Sequence, residues 1–249
     1  MLDRTRPALG IDYNLDAQKK LVERLSVVYE GIPFGPTSQE GLRYYFENDF
    51  YGYADGVILY CMMRHFKPKR IIEVGSGFSS ALILDTNERF FDSSIQVTCV
   101  EPYPDQLKNL ANPDETNLRI IEKRVQDVAL SEFENLESDD FLFIDSSHVS
   151  KVNSDVNYLF FEVIPRLKPG VLIHIHDVFA GFEYPREWLD EGRAWNEQYL
   201  LRALLMGNSK LEVLIMTDHL QSNYPELVKA NLPLAMQNRG GSIWLHVAE

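Results

Sequence analysis

The segment from residue 70 to residue 80 reads Arg70-Ile71-Ile72-Glu73-Val74-Gly75-Ser76-Gly77-Phe78-Ser79-Ser80. Its opening apolar run is typical of a buried strand in a parallel sheet. The two glycines let the main chain turn sharply and approach a bound molecule closely. The serines begin a helix-like segment, whose first turn offers unpaired N–H groups and a positive dipole end. The segment therefore predicts a strand, a turn and a helix that together bind a nucleotide-type cofactor.

Strands and helices alternate after this segment. Further strands are predicted over residues 95–101, 118–122, 141–145, 171–176, 211–216 and 242–247, and helices over residues 79–89, 104–111, 128–136, 152–167 and 193–206. Such alternation implies right-handed crossovers and a parallel sheet. The sequence therefore predicts an α/β fold with a doubly wound, mostly parallel sheet of seven strands, the last of them antiparallel. Two helices are expected before the sheet, over residues 13–30 and 54–66. A loop is expected over residues 180–192, and a connection with a short piece of helix over residues 217–239.

The length and composition of the chain suit one compact unit. A chain of 249 residues fits an N-terminal helical cap over residues 1–66 and a cofactor-binding domain over residues 67–249. The formal net charge of −13 argues against binding nucleic acid. No apolar run approaches membrane-spanning length, and Met1 to Arg4 lacks the apolar region of a signal peptide. Cys61 and Cys99 lie in apolar segments and are expected to be reduced, which favours the cytoplasm.

Polar residues follow the apolar part of each predicted strand, where ligands bind in such sheets. Glu101 ends the second strand, at the position where an acid binds ribose hydroxyls. Glu73 precedes the turn, where a carboxylate would repel a pyrophosphate but suit a cationic ligand. The third position of the dinucleotide-binding pattern is Ser80 rather than glycine, which disfavours a nicotinamide-dependent oxidoreductase.

Over about residues 70–178 the chain resembles the class I S-adenosylmethionine-dependent methyltransferases, which have a Rossmann-like fold. The matching motifs, in order, are Glu73-Val74-Gly75-Ser76-Gly77, Glu101, Gln126-Asp127-Val128 and Phe143-Ile144-Asp145. The resemblance implies that S-adenosylmethionine is bound by Glu73, Gly75, Ser76, Gly77, Ser79, Ser80, Glu101, Asp127, Val128 and Asp145. In it, Glu73 neutralises the cationic end, Glu101 binds ribose, and Asp127 meets the adenine amino group. Helix capping is the alternative explanation for Asp127 and for the two serines.

Acids and histidines end the fourth and fifth strands. Asp145 and His148 follow the fourth strand, whereas His176 and Asp177 end the fifth. The two strands are expected to be neighbours, so these four residues should converge near the reacting methyl group. A histidine with a pKa near neutrality is a suitable base for a hydroxyl acceptor, and His148 is the predicted base. His174 shares a strand face with His176 and is expected to be a core residue.

The spacing Asp145-x-x-His148, followed by an acid after the fifth strand, resembles the metal-dependent sugar O-methyltransferases of macrolide biosynthesis. That resemblance implies that Asp145 and Asp177 bind a divalent metal such as Mg²⁺ and that His148 is the base. His176 stands where that family has an acid, so the ligand set carried over is Asp145, His176 and Asp177.

Residues 179–199 are expected to cover the acceptor pocket, because they leave the fifth strand and are rich in aromatic and charged residues. The motifs Tyr184-Pro185-x-x-Trp188 and Trp195-Asn196-Glu197-Gln198-Tyr199 resemble a bacterial subgroup of the methyltransferases. The expected acceptor is a small molecule or glycan, methylated at oxygen, and the candidate assembly is a homodimer. The alternatives are a non-catalytic cofactor-binding protein and a metal-dependent hydroxylase or hydrolase using Asp145, His176 and Asp177.

Overall fold

The computed structural model describes residues 8–112 and 115–249. It contains a seven-stranded sheet in the order β3-β2-β1-β4-β5-β7-β6. The strands are β1 (Arg70–Val74), β2 (Gln96–Val100), β3 (Leu118–Ile121), β4 (Phe141–Ile144), β5 (Leu172–His176), β6 (Leu211–Met216) and β7 (Ser242–Val247). Strands β1 to β5 pair in parallel, and β7 is antiparallel to both β5 and β6. The predicted fold class, including the antiparallel last strand, is confirmed.

Ten α-helices flank the sheet within the described ranges. They are α1 (Leu15–Tyr29), α2 (Tyr53–Phe66), α3 (Phe78–Phe91), α4 (Asp105–Leu110), α5 (Leu130–Glu134), α6 (Asp155–Tyr158), α7 (Arg186–Asp190), α8 (Glu197–Leu205), α9 (Thr217–Asn223) and α10 (Pro225–Asn231). No helix in residues 8–112 or 115–249 is both long and apolar enough to cross a membrane. The prediction about a signal peptide concerned Met1 to Arg4, and these residues lie outside the described ranges.

Both faces of the central strands are buried, which explains why these strands appear in the sequence as apolar runs. Neighbouring residues of β1 point to opposite faces, so Ile71 belongs to the core on one side of the sheet and Ile72 to the core on the other. All four residues of β4 are fully buried. Because β1, β2, β4 and β5 run parallel to one another, their carboxyl ends lie at the same edge of the sheet, where the polar residues accumulate.

The N-terminal helices are built into the same core as the sheet. Asp55 of α2 accepts hydrogen bonds from Gly241 N at 3.0 Å and from Ser242 Oγ at 2.6 Å. Gln18 of α1 accepts one from Met216 N at 2.9 Å. The first two helices thus brace the last two strands, and the predicted division of the chain after residue 66 stays a prediction.

The helix predicted over residues 152–167 is shorter and less regular than expected. Val152 is 95% exposed, because α6 begins only after Ser154, whose side chain caps the helix by accepting from Asn157 N. A π-helical turn over residues 159–163 and a 3₁₀ turn over residues 164–166 follow. Pro165 lies in this region and has no N–H to donate, which disfavours a regular helix there.

The predicted loop over residues 180–192 also needs correction, because it contains α7. The helix predicted from residue 193 begins at Glu197, and the connection over residues 217–239 holds α9, α10 and a 3₁₀ turn at Pro233–Met236. These helices have five to nine residues, which is too short for a clear helical periodicity to appear in the sequence.

Candidate active site

The turn after β1 has a conformation that requires glycine at its first position. Gly75 has φ of +84°, and a Cβ built on it would lie 2.1 Å from the backbone oxygen of Asp145. Its N–H donates to Val100 O at 3.1 Å, so the turn is also joined to the end of β2. A Cβ on Gly77 would meet nothing nearer than Gln106 Oε1 at 3.7 Å. Gly75 therefore serves the close approach of β1 and β4, whereas Gly77 faces open space.

Glu73 lies completely buried beneath this turn. Its carboxylate accepts hydrogen bonds from Ser79 Oγ at 2.6 Å, Ser80 Oγ at 2.5 Å and Cys99 Sγ at 3.3 Å. Burial outweighs these hydrogen bonds and raises the pKa of Glu73 from 4.5 to about 7. The two serines thus bind Glu73, and Glu73 holds the start of α3 against β1.

The raised pKa of Glu73 predicts a specific dependence of stability on pH. The unfolded chain ionises this carboxyl near pH 4.5, whereas the folded protein resists ionisation until about pH 7. The stabilisation is therefore complete below pH 4.5 and is lost as the pH rises to about 7, by about 3 kcal/mol. Glu73→Gln should remove this loss, measured as the free energy of unfolding against pH. Glu134→Gln, at an exposed glutamate paired with Arg166, is the control and should leave the wild-type slope unchanged.

A cavity of about 330 Å³ opens at the carboxyl ends of β1, β2 and β4. Gly75, Glu101 and Asp145 line it, together with Gln126. Glu101 Oε1 accepts from Tyr103 N at 2.8 Å. Among the residues described, Ser76 Oγ and Gln126 Oε1 are buried atoms without a hydrogen-bond partner. The cavity wall thus carries the carboxylates of Glu101, after β2, and of Asp145, after β4, and it includes Gln126, whose Oε1 has no partner among the described residues.

Asp127 and Val128 do not line this cavity. Asp127 forms an ion pair with Arg124 at 2.9 Å near the surface, and Val128 is buried in the core. The neighbouring Gln126 takes the position in the cavity wall, and its Nε2 donates to Asn153 O at 2.9 Å. The 3₁₀ turn at Val125–Asp127 turns Asp127 away from the cavity, so Gln126 rather than Asp127 lies in its wall.

Asp145, His148 and Asp177 form a compact cluster at the edge of this cavity. Nε2 of His148 lies 3.3 Å from Asp145 Oδ1 and 3.3 Å from Asp177 Oδ2. One ligand atom from each of the three residues lies within 4.8 Å of the others, so the cluster could hold a metal ion. The sequence prediction that the ends of β4 and β5 converge is confirmed by this geometry.

The predicted metal-ligand set of Asp145, His176 and Asp177 stays a prediction. The geometry places His148, rather than His176, between the two carboxylates. Asp177 has φ of +57°, which turns the chain at the end of β5. His176 lies 3.7 Å from Asp177 Oδ1, and its ring packs 5.1 Å from that of Tyr51. His176 therefore lies beside Asp177 but is not one of the three residues of the cluster.

His174 is a core residue, as predicted. It is fully buried, its ring stacks on Phe143 with centroids 3.9 Å apart, and neither ring nitrogen has a hydrogen-bond partner among the residues described. Burial lowers the pKa of His174 well below its usual value. The ring is therefore neutral, and it stacks against the ring of His176 with centroids 5.6 Å apart.

His148 is held in an unusual conformation and in an acidic environment. Its φ is +58°, a left-handed backbone that is rare for a residue other than glycine. Nδ1 lies 2.8 Å from Glu197 Oε2, and the ring packs on Trp195 at 4.3 Å. Burial lowers the pKa of His148, but hydrogen bonds with Asp145 and Glu197 and the charge of Asp177 raise it to about 10. The ring therefore carries both protons in the free protein at neutral pH.

A second cavity of about 330 Å³ lies on the other side of the cluster. Its wall includes Asp177 and His176, the aromatic rings of Phe50, Phe179 and Trp188, and the guanidinium of Arg239. Asp145 lines the first cavity and Asp177 lines the second, so the cluster stands at the junction of the two. The segment 179–199 contributes Phe179, Pro185, Glu187 and Trp188 to this wall, and its role in covering an acceptor stays a prediction.

Sequence reasoning missed the contributions of Glu197, Asp55 and Arg239. Glu197 lies within the quoted motif at residues 195–199, but its partner His148 is 49 positions away. Arg239 reaches the second cavity from the end of the long connection, where it pairs with Asp218 at 2.8 Å. Glu197 is the first residue of α8, and an acid at the start of a helix does not indicate which distant residue it contacts.

Part of the chain is similar to a known protein family and to a known relative, and its fold is similar to that of solved structures. The family described as "Methyltransferase domain" matches residues 72–178. An uncharacterized protein of Archaeoglobus fulgidus is 34% identical over 131 residues, which is 52% of this chain and 59% of that protein. Among solved structures, CmcI-N160 in its apo form has a TM-score of 0.52 at 14% identity, covering 86% of this chain and 77% of that one. The O-methyltransferase TomG from Streptomyces achromogenes, in complex with SAM, has a TM-score of 0.49 at 13% identity, with both chains fully covered.

Proposed function

We propose that this chain is a class I S-adenosylmethionine-dependent methyltransferase, since residues 72–178 match the family described as "Methyltransferase domain", and that it transfers a methyl group from S-adenosylmethionine to oxygen. The acceptor we propose is a hydroxyl group of a small molecule or glycan. The proposed setting is the cytoplasm, since both cysteines are buried free thiols.

One observation carries this proposal: the cluster of Asp145, His148 and Asp177 lies at the junction of two cavities of similar volume. A transferase needs separate places for donor and acceptor that meet at the reacting atoms. Holding both in line is itself a large part of catalysis for a displacement at carbon. The second cavity, with three aromatic rings and an arginine in its wall, suits a polar, ring-shaped acceptor.

The first cavity fits S-adenosylmethionine. Glu101 is placed for the ribose hydroxyls, and the unpartnered oxygen of Gln126 can accept from the adenine amino group. Asp145 brings negative charge to the inner end of the cavity, where a sulfonium group would lie. When bound, S-adenosylmethionine supplies an electrophilic methyl group on a positively charged sulfur.

His148 is the group that we propose takes the proton of the acceptor hydroxyl. Its Nε2 faces the junction, and Glu197 accepts the hydrogen bond from Nδ1–H. A cation bound beside Asp145 would weaken the stabilisation of the imidazolium by that carboxylate. It would thereby lower the pKa of His148 and leave Nε2 free to accept a proton.

Glu101→Ala is expected to weaken S-adenosylmethionine binding by about 1–3 kcal/mol, which is the cost of losing a hydrogen bond to a charged group. This corresponds to a dissociation constant raised by about 5-fold to 150-fold. Calorimetric titration of both proteins is the measurement. An unchanged affinity would remove Glu101 from the proposed ribose site.

A divalent cation is a second element of the proposal, favoured by the carboxylates of Asp145 and Asp177, which belong to one compact cluster. Two carboxylates suit Mg²⁺, and in this proposal they would hold the ion while Nε2 of His148 stays unligated and serves as the base. Dialysis against EDTA should then reduce turnover by at least about tenfold, and added Mg²⁺ or Mn²⁺ should restore it. Turnover that is the same before and after dialysis would exclude a dissociable metal.

Calorimetry with S-adenosylmethionine, S-adenosylhomocysteine and NAD⁺ tests the function itself. Binding of the first two, with formation of S-adenosylhomocysteine in the presence of methyl glycosides or simple phenols, is the expected result. Cofactor binding without turnover on any acceptor would favour a non-catalytic binding protein. Binding of NAD⁺ alone would overturn the proposal.

A further inference from the structure

The first turn of α8 holds His148 from two sides. The backbone N–H groups of Asn196 and Glu197 donate to His148 O at 2.9 and 3.2 Å. The side chain of Glu197 then contacts the imidazole ring through Oε2, which lies 2.8 Å from Nδ1. One helix end, far away in the sequence, thus fixes both the main chain and the side chain of this histidine.

The carboxylate of Glu197 is itself fixed. Its Oε1 accepts from Ser146 Oγ at 3.0 Å, and Ser146 Oγ accepts from His148 N at 3.1 Å. These contacts form a closed ring of three side chains and one backbone group. Glu197 is only 1% exposed, so no water competes for its oxygens from the surface.

The conformation of His148 needs such support. A left-handed φ on a non-glycine residue is strained, and it persists only where the surrounding structure holds it. The ring has two nitrogens, and only the one not bound by Glu197 faces Asp145 and Asp177. A carboxylate hydrogen-bonded to one ring nitrogen keeps the proton there and fixes the orientation of the other.

We propose that Glu197 is a positioning residue for methyl transfer, which directs Nε2 of His148 to the junction of the two cavities. This inference rests on the proposed function, since the role of His148 as the base is part of that function. Glu197 touches neither cavity wall and acts through the histidine. Ser146 supports it by holding its second oxygen.

The first test is spectroscopic and independent of activity. In protein labelled with ¹⁵N-histidine, the Nδ1–H of His148 should give a downfield resonance protected from exchange, assigned by its loss in His148→Gln. We expect the resonance to persist in Glu197→Gln, which keeps an acceptor oxygen, and to disappear in Glu197→Ala. Its persistence in Glu197→Ala, or its absence from the wild type, would overturn the inference.

Binding of S-adenosylhomocysteine controls for folding. Its affinity should be the same in the wild type, both Glu197 variants and the control Glu191→Gln, since Glu191 is an exposed residue of the same segment, paired with Arg193. If Glu197→Ala fails to bind, Glu197→Leu, which fills a similar volume but offers no acceptor oxygen, takes its place in the resonance and turnover measurements with the same expected losses.

Turnover is then measured with whichever methyl glycoside or phenol the wild type methylates fastest. We expect kcat to fall by about 10-fold to 100-fold in Glu197→Ala with KM unchanged, and to stay within about threefold of wild type in Glu197→Gln. Equal kcat values for all three proteins would overturn the inference. A wild type that methylates no acceptor would instead contradict the proposed function, and the Nδ1–H resonance would still decide what Glu197 does.

Discussion

Gly75→Ala is expected to abolish measurable S-adenosylmethionine binding and to lower the free energy of unfolding by about 2–4 kcal/mol. The methyl group would lie 2.1 Å from the backbone oxygen of Asp145, and the residue would have to keep φ near +84°. A backbone atom cannot move aside as a flexible side chain can. The ends of β1 and β4 must therefore separate, which distorts the cavity they form. Chemical denaturation and calorimetric titration measure the two effects.

Gly77→Ala is the matched control for that substitution. Its Cβ would meet only Gln106 Oε1 at 3.7 Å, and its φ of 173° is an extended conformation that any residue adopts. The free energy of unfolding should therefore stay within about 1 kcal/mol of wild type. Equal stability losses at both glycines would show that the clash with Asp145 is not the cause.

His148→Ala should reduce kcat by about 10²-fold to 10⁴-fold, the range of general base catalysis. The cofactor affinity should change by less than about threefold, because His148 does not line the first cavity. Single-turnover measurements separate the methyl-transfer step from product release. A kcat close to that of the wild type would remove His148 as the base.

His148→Gln controls for the loss of packing in this substitution. Glutamine retains a polar side chain of similar size that can still contact Trp195, which lies 4.3 Å from the wild-type ring, but it cannot act as a base. If it is as slow as His148→Ala and both unfold at the denaturant concentration of wild type, the defect is chemical rather than structural.

The sequence was most informative about the sheet and the turn after β1. Buried parallel strands must be apolar on both faces, so β1 and β4 stand out as short apolar runs. The carboxyl ends of parallel neighbours meet at one edge, which was enough to bring Asp145, His148 and Asp177 together. Gly75 was recognisable because the turn requires a residue that tolerates a positive φ and a close backbone approach.

The finer features of the site could not be predicted from single positions. Whether His148 or His176 lies between the carboxylates depends on the left-handed turns at His148 and Asp177. Either side chain is chemically suitable. The 3₁₀ turn at Val125–Asp127 decides that Gln126 rather than Asp127 lies in the wall of the first cavity. The sequence alone does not indicate which of two adjacent polar residues faces a cavity.

Long-range contacts were the other gap. Glu197 meets His148 only because α8 begins four residues later than its periodicity indicated, which places the acid at the first helical position. The boundaries of short helices depend on tertiary packing more than on local propensity.

The hydrogen bonds from Gly241 and Ser242 to Asp55 join two distant parts of the chain. The two cavities draw their walls from different parts of the sequence. Every residue that lines the first cavity comes from the continuous stretch 74–155. The second is assembled partly from Phe50, Gly52 and Asp55 and partly from residues 238–241, which lie outside the matched methyltransferase segment. Under the proposed function, substitutions within residues 50–55 or 238–241 are therefore expected to change the acceptor preference while leaving the residues of the first cavity untouched. Exchanging acceptor specificity with a relative would then require transferring both segments together.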